Sequence, residues 1–474
     1  MNNQKNNQLS QWGLNLDEIE GLPERLIEFH QNYRIWMRTS TRDTSQYGLD
    51  YISGILRMKT NRNINNIARV VGVPEQNMQQ FISDSTWSAS SLIKTLQYDI
   101  GHHDHFAEGS VLVIDESANE KSGEHSAGAG RQHNGRLGKI EMSQVGVFLS
   151  LANSGYHTWI DGELYIPEKW FTDEYAKQRK RVGLPKERVF ATKLELALKM
   201  VDQVHKNELP ICAIDCDSLY GRAGWLRDAF NQRGFEYYAD VPKDKKVYLS
   251  SPSIVYPLNK NGTPSKKCEI IGTNVPVVEI KCQWEPDWER ITLRPNERGM
   301  LQAKFARFRV WTVRDDDSIR EEWLLIRQDK KRTTYSLSNA DNSISLLTMA
   351  KRKSQRYFIE RSNQDAKSEL GWDEFQAIKY SAWEHNLALT IMASWFITET
   401  RLEWAKKYEY DPELLEKYET DMLPTLSMAN VRELLRATMP LPQLTPFQAA
   451  ELVVKHLDNR TRSRKSRLRK ALSR

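Results

Sequence analysis

Apolar residues recur at helical spacing from residue 14 to about 100, where Leu16, Ile19, Leu22 and Leu26 open the stripe. The sharpest unit lies between Ile64 and Trp87. Ile64, Ile67, Ala68 and Val71 form one apolar face, Gly72-Val73-Pro74 interrupts it, and Met78, Phe81 and Ile82 form a second. Helix, tight glycine turn, helix is the helix-turn-helix pattern. Its second helix turns Gln76, Asn77, Gln79 and Gln80 outward, and Asn or Gln can pair bidentately with adenine in a major groove. An ordinary helical hairpin has the same pattern.

From Gly109 the period changes. Val111-Leu112-Val113-Ile114 is a continuous apolar run of the kind that suits a strand buried on both faces. It ends at Asp115-Glu116, and a carboxylate at the end of a central strand needs a partner, a metal or water. The alternative is a plain strand-end turn residue. Residues 117–142 are rich in glycine and basic residues. Lys121, Arg131, Arg136 and Lys139 can track phosphates there, with glycines allowing close backbone approach, or the segment is a long hairpin. Val145–Leu151 and His157–Ile166 predict two more strands. Lys193–Lys206 predicts a helix and Leu209–Ile214 a strand, followed by Asp215-Cys216-Asp217, a second acidic strand end. Arg222–Arg233 predicts a helix and Phe235–Val241 a fifth strand.

Between Lys243 and Ser345, prolines and glycines punctuate short strand-like runs, among them Val275–Lys281, Ala306–Val313 and Glu322–Arg327. This mostly β segment carries Trp284, Trp288, Trp311 and Trp323, which suit sheet packing or base stacking. Helices resume near Gln355. Arg356, Glu360 and Lys367 share roughly one helical face, as in either a solvated charged face or a metal-binding carboxylate flanked by phosphate-facing cations. Glu374–Thr400 predicts a long apolar helix over the sheet, and Pro412–His456 a looser helical region.

Composition adds bounds. With 39% hydrophobic and 10% aromatic residues, the 474-residue chain is expected to fold into several domains around a sizeable core. No signal-like start and no apolar run of membrane length is evident, so a cytoplasmic protein, on the bacterial nucleoid, is expected. The four cysteines match no zinc spacing, and Cys212 and Cys216 read as reduced core thiols. His102, His103, Asp104 and His105 read as a polar loop in preference to a metal site. Charge is uneven. Residues 459–474 hold eight basic and no acidic residues, so a chain of net +6 has a body of −2 and a basic tail. Such an arm points to a polyanion, nucleic acid first.

Placed on these elements, the residues resemble the DDE transposases of bacterial insertion sequences, in the branch with a β-rich insertion before the catalytic Glu. The first-Asp strand is VLVIDES, the second strand SQVGVFLSL, the second-Asp motif DSLYG and the Glu-bearing helix FIERSNQDAKSELG; EEWLLIR and YSLSNA resemble the exit from the insertion. The family's second Asp is followed by two residues and Tyr-Gly, which selects Asp217 over Asp215. Its Tyr-x2-Arg-x3-Glu-x6-Lys signature fits Arg356, Glu360 and Lys367, but Lys353 stands in the Tyr position, with Tyr357 nearby as an alternative.

The resemblance implies an α/β fold: an RNase H-like catalytic core, with a mixed five-stranded sheet and helices, interrupted by a β-rich insertion and flanked by helical N-terminal and C-terminal regions. The corresponding division is 1–107 (helical, DNA-binding), 108–242 (core, first part), 243–350 (insertion), 351–402 (core, second part) and 403–474 (helical, basic tail). It implies Asp115, Asp217 and Glu360 as ligands of two Mg2+ ions, for which Mn2+ can substitute, with Arg356 and Lys367 facing phosphates. Asp365 and Glu369 then read as surface charges, and Trp311 or Trp323 as the holder of a flipped base. The implied activity is cleavage at transposon ends and transfer of the 3′-OH into target DNA, with or without a hairpin. The implied partners are the terminal inverted repeats, target DNA and a second copy of the chain. A catalytically silent or domesticated DNA-binding regulator of the same fold, and a nuclease without strand transfer, are the alternatives.

Overall fold

The computed structural model describes residues 11–135, 138–283, 287–296, 299–329, 332–421 and 423–472; Arg136 and Trp284 lie outside the described residues. Strand β1 (Ser110–Glu120) is central. On one side it pairs antiparallel with β3 (Lys139–Asn153), which pairs antiparallel with β4 (Tyr156–Tyr165). On the other side β5 (Ile211–Cys216) and β6 (Tyr237–Val241) follow in parallel. The order β4–β3–β1–β5–β6 is the RNase H-like arrangement expected from the sequence. Asp115 falls in mid-strand, because β1 runs on to Glu120 alongside β3. Its parallel pairing, however, stops at Ile114 and Cys216. The hairpin reading of the glycine-rich segment holds in part, since β2 (Gly130–Asn134) pairs with the start of β3.

The insertion extends this sheet. It supplies β7 (Lys246–Tyr248), β8 (Ser253–Val255), β9 (Glu269–Ile271), β10 (Asn274–Pro276), β11 (Glu289–Asn296), β12 (Gly299–Val313), β13 (Ile319–Gln328) and β14 (Thr333–Ser338). β14 hydrogen-bonds to β6, and the ladder continues through β13 and β12 to β7 and β10, giving one 12-stranded sheet. β8 and β9 form a separate two-stranded ribbon. The strand expected at Val275–Lys281 is corrected: only Asn274–Pro276 is extended, and Val277–Gln283 is helical. Val277 and Ile280, both fully buried, sit three apart and so point the same way only in a helix.

In chain order the helices are α1 (Leu16–Glu20), α2 (Leu22–Tyr33), α3 (Ser45–Arg57), α4 (Ile64–Val71), α5 (Glu75–Ser83), α6 (Ala89–His102), α7 (Ala176–Val182), α8 (Lys193–Lys206), α9 (Ser218–Gly221), α10 (Gly224–Gln232), α11 (Val277–Gln283), α12 (Leu346–Ser354), α13 (Tyr357–Ser368), α14 (Tyr380–Tyr408), α15 (Pro412–Lys417), α16 (Met428–Thr438) and α17 (Pro446–Leu472). The helix-turn-helix pair is α4–α5, joined through Gly72 at φ +76°, a left-handed cap that favours glycine. The long helix α14 is buried along most of its length, between the sheet and the N-terminal helices. Tyr51 Oη donates to Asn386 Oδ1 (2.8 Å), and the two ring nitrogens of His385 lie 2.8 and 3.2 Å from the carbonyls of Ile82 and Trp87. One hydrophobic cluster therefore runs from Leu26 and Phe81 through Val113 and Leu149 to Ile397. α16 folds back onto the same region, with Arg432 Nε donating to the Leu56 carbonyl (3.0 Å). Among the described residues no helix is long and apolar enough to cross a membrane.

Charge fastens the insertion to the core. Glu322 of β13 is buried and takes Arg227 of α10 (2.9 Å), Arg314 (3.1 Å) and the Tyr237 hydroxyl of β6 (2.6 Å). Burial raises its pKa, but Arg227 and Arg314 outweigh that and bring the carboxyl down to about 2. A depressed carboxyl stabilises the fold above its ordinary value of 4.5 and loses that contribution as pH falls towards about 2. Glu322→Gln leaves the buried Arg227 without its carboxylate and Arg314 with Asp228 alone. A loss of about 3–5 kcal/mol is expected in urea unfolding at pH 7, shrinking as the pH is lowered through 4; an unchanged midpoint at pH 7 refutes the fastening role.

Candidate active site

Asp115 and Asp217 lie one residue beyond the last parallel pair, Ile114 and Cys216, on adjacent strands. Their side chains therefore emerge side by side. The DSLYG segment builds this corner. Asp217 caps α9, its Oδ1 accepting the Leu219 N–H at 2.8 Å. The Tyr220 hydroxyl donates to Glu116 Oε2 (3.2 Å), whose other oxygen takes Lys193 (3.0 Å). Gly221 passes so close to β6 that a Cβ there would collide with the Asp240 carbonyl. One oxygen of Asp115 accepts the Glu116 N–H (2.9 Å). Burial pushes Asp115 up to about 7; Arg356 opposes the rise, and the adjacent Asp217 and Glu116 add to it.

Two cations answer this acidic corner. Lys353 of α12 is buried, with Nζ 2.6 Å from Asp215 and 2.9 Å from Asp240 of β6. Arg356 lies at the start of α13, Nε 3.3 Å from Asp240 Oδ2 and Nη1 3.0 Å from Glu360 Oε1. Asp215 is fully buried with Oδ2 unpartnered, and burial lifts it to about 7 against the pull of Lys353. Burial also opposes ionisation of Asp240, but Lys353 and Arg356 outweigh it and hold that carboxyl below its usual range. Asp240 and the Lys353 bridge were missed in the sequence. An acid inside the apolar run YYADV was the available signal.

The structure brings Asp115 and Asp217 together and leaves Glu360 apart. Glu360 is more than half exposed and paired to Arg356. Among the described residues no three His, Cys, Asp or Glu side chains converge tightly enough to hold an ion. A divalent cation still fits the Asp115–Asp217 pair chemically. These are hard oxygens, one on each side chain is used by a backbone N–H, and Asp115 is under like-charge stress that a cation would relieve.

The other expected residues scatter. Lys367 Nζ donates to the Ala118 carbonyl of β1 (2.8 Å), on the same side of the sheet as the site helix. Lys121 is buried and donates to the Phe375 carbonyl (2.8 Å), with burial lowering it to about 8; it is no part of a surface track. Arg131 and Lys139 are exposed on β2 and β3, Lys139 beside Glu141 (2.6 Å). Gln76, Asn77, Gln79 and Gln80 are all exposed on α5. Trp311 and Trp323 are half-buried in β12 and β13, and the guanidiniums of Arg307 and Arg309 lie 4.4 and 4.0 Å from the Trp323 ring centre. Tyr357 faces Arg294 (3.8 Å), away from the Lys353 bridge. Asp365 and Glu369 are corrected. Asp365 is buried between Arg361 (3.1 Å) and His157 (3.8 Å), and Glu369 pairs with Arg432 (2.6 Å), because other elements pack over that end of α13.

A family profile described as "DDE superfamily endonuclease" matches residues 36–300, a stretch that includes Asp115 and Asp217 and ends before Glu360. The chain is also 21% identical over 363 residues to a protein of Microchaete diplosiphon named "Probable transposase for insertion sequence element IS701", covering 75% of this chain and 83% of that one.

Lys353→Met removes the cation shared by Asp215 and Asp240. The single variant should lose about 3–5 kcal/mol, and Lys353→Met with Asp215→Asn should recover a large part of it, because replacing a buried pair costs less than breaking it. Denaturant midpoints of the two single variants and the double variant test this; strictly additive losses would disprove the coupling.

Proposed function

The chain belongs to the DDE superfamily endonucleases, and we propose that it is the transposase of an insertion sequence. In this reading it cuts DNA at the terminal inverted repeats and joins the freed 3′-OH to target DNA. The observation that carries it is the pair Asp115 and Asp217, set side by side past the paired ends of β1 and β5 beneath a helix that supplies Glu360, Arg356 and Lys367.

Asp115 and Asp217 would hold divalent ions, Mg2+ or Mn2+, with Glu360 completing the set. When bound, two such ions would activate the attacking oxygen and stabilise the leaving one. The chain's own residues do the rest. Glu360 must leave Arg356 to join the pair, and the freed Nη1 of Arg356, whose Nε stays on Asp240, then suits a DNA phosphate. Lys367, anchored on β1, sets how far α13 stands from the strand. Lys353 keeps its charge on Asp215 and Asp240, so Asp217 is not drawn into an ion pair of its own.

Outside the site, exposed Arg131 and Lys139 would meet phosphates, and α5 would read bases through Gln76, Asn77, Gln79 and Gln80. Trp311 or Trp323 would hold a flipped base. Joining two ends implies two copies of the chain on DNA.

Asp217→Ala should lower metal-dependent nicking of a terminal-repeat duplex by at least about 10³-fold, several kcal/mol of transition-state stabilisation, while leaving duplex binding in place. Equal cleavage by the variant removes Asp217 from the site. Tight binding without cleavage by the unaltered chain, with Mg2+ and with Mn2+, would instead mark a DNA-binding regulator.

A further inference from the structure

Helix α17 stands apart from the packed body. It runs for 27 residues and contributes none to the buried clusters among the described residues. Its start is fixed by a reciprocal cap: the Thr445 N–H donates to Gln448 Oε1 (2.9 Å), and the Gln448 N–H to Thr445 Oγ1 (3.2 Å). Ten residues in, Lys455 Nζ lies 3.2 Å from Glu75 Oε1. The same carboxylate oxygen takes Arg69 Nε of α4 at 3.0 Å. Glu75 is the first residue of α5, so α17 touches the helix-turn-helix pair at the leading end of its second helix.

That end matters electrostatically. The N-terminal residues of a groove-entering helix come closest to base edges and phosphates. A bare carboxylate there would repel the duplex. Arg69 and Lys455 both meet Oε1 of Glu75 and offset its charge, so the contact makes the end of α5 compatible with a polyanion.

Beyond Asp458 the character of α17 changes. Arg460, Arg462, Arg464, Lys465, Arg467 and Arg469 are all exposed, and no acid follows Asp458. Arg460, Arg464 and Arg467 share one face, and Arg462, Lys465 and Arg469 another. Like charges at i, i+4, such as Arg460 with Arg464 and Lys465 with Arg469, destabilise a free helix, and phosphates would relieve them. From Lys455 to Leu472 the helix extends about 26 Å, the length of about 7–8 base pairs.

We infer that α17 and the α4–α5 pair form one composite surface for duplex DNA, in which the Arg69–Glu75–Lys455 contact directs the basic half of α17 onto the phosphates flanking the groove that α5 enters. This rests on the DNA-binding reading above and goes beyond it by joining two separate basic and polar elements into one footprint with a defined extent and side.

The test uses a duplex selected from a random pool by the full chain, with hydroxyl-radical footprints and salt titrations. Gln79→Ala with Gln80→Ala marks the bases that depend on α5. A chain ending at residue 458 should lose about 7 base pairs of protection on one flank only, adjoining those bases. Its slope of log affinity against log salt should fall by up to about 7, for the eight cations removed at about 0.9 each. Lys455→Glu should smear or shift that flank, and Lys455→Glu with Glu75→Lys should restore it. The inference is overturned if the shortened chain keeps the footprint and slope, if the lost protection is separate from the α5-dependent bases, or if Lys455→Glu protects as the unaltered chain does. Failure of the full chain to enrich any duplex would overturn the DNA-binding reading itself.

Discussion

The structure depends on balancing charge at the ends of three neighbouring strands. β1, β5 and β6 bring Asp115, Asp215, Asp217 and Asp240 into one corner. The answer comes from more than a hundred residues later in the chain, where Lys353 and Arg356 descend from α12 and α13. Buried carboxylates without these cations would cost several kcal/mol each. Docking of the two helices and formation of the acidic corner are therefore one event. A sheet that assembled without the helices would be under electrostatic stress at this corner.

This arrangement also explains the composition of the segment after β5. Asp217 serves as a helix cap, Tyr220 reaches across to steady Glu116, and Gly221 lets α9 pass against β6 without collision. The position of Asp217 is thus fixed by neighbours that cap, brace and clear its turn. Helix α13 is divided too: Glu360 is exposed and paired with Arg356, while Asp365 is buried against β4.

Much of this was legible in the sequence where local pattern decides structure. The 3.6-residue stripe and the glycine stop located α4 and α5, and the apolar runs located β1, β5 and β6. The acids at the ends of two such runs located the Asp pair. Legibility failed where the deciding partner is distant in sequence. Lys353 looked like a gap in a family signature and proves to be the buried counter-ion of Asp215 and Asp240. Lys121 looked like a surface cation and is buried under the Phe375 segment. Val277 and Ile280 looked like a strand, since a short apolar run fits either period until its neighbours are known. Asp240 carried only a weak signal, because one acid in an apolar run says nothing of what will meet it.

The β-rich segment after β6 is continuous with the sheet that carries the Asp pair. Here β14 shares a hydrogen-bonded ladder with β6, and Ser336 of β14 donates to Asp240 Oδ1 at 2.6 Å. The far strands and the acidic corner are therefore parts of one hydrogen-bonded sheet, so a change in the register of β14 would move a group that holds Asp240.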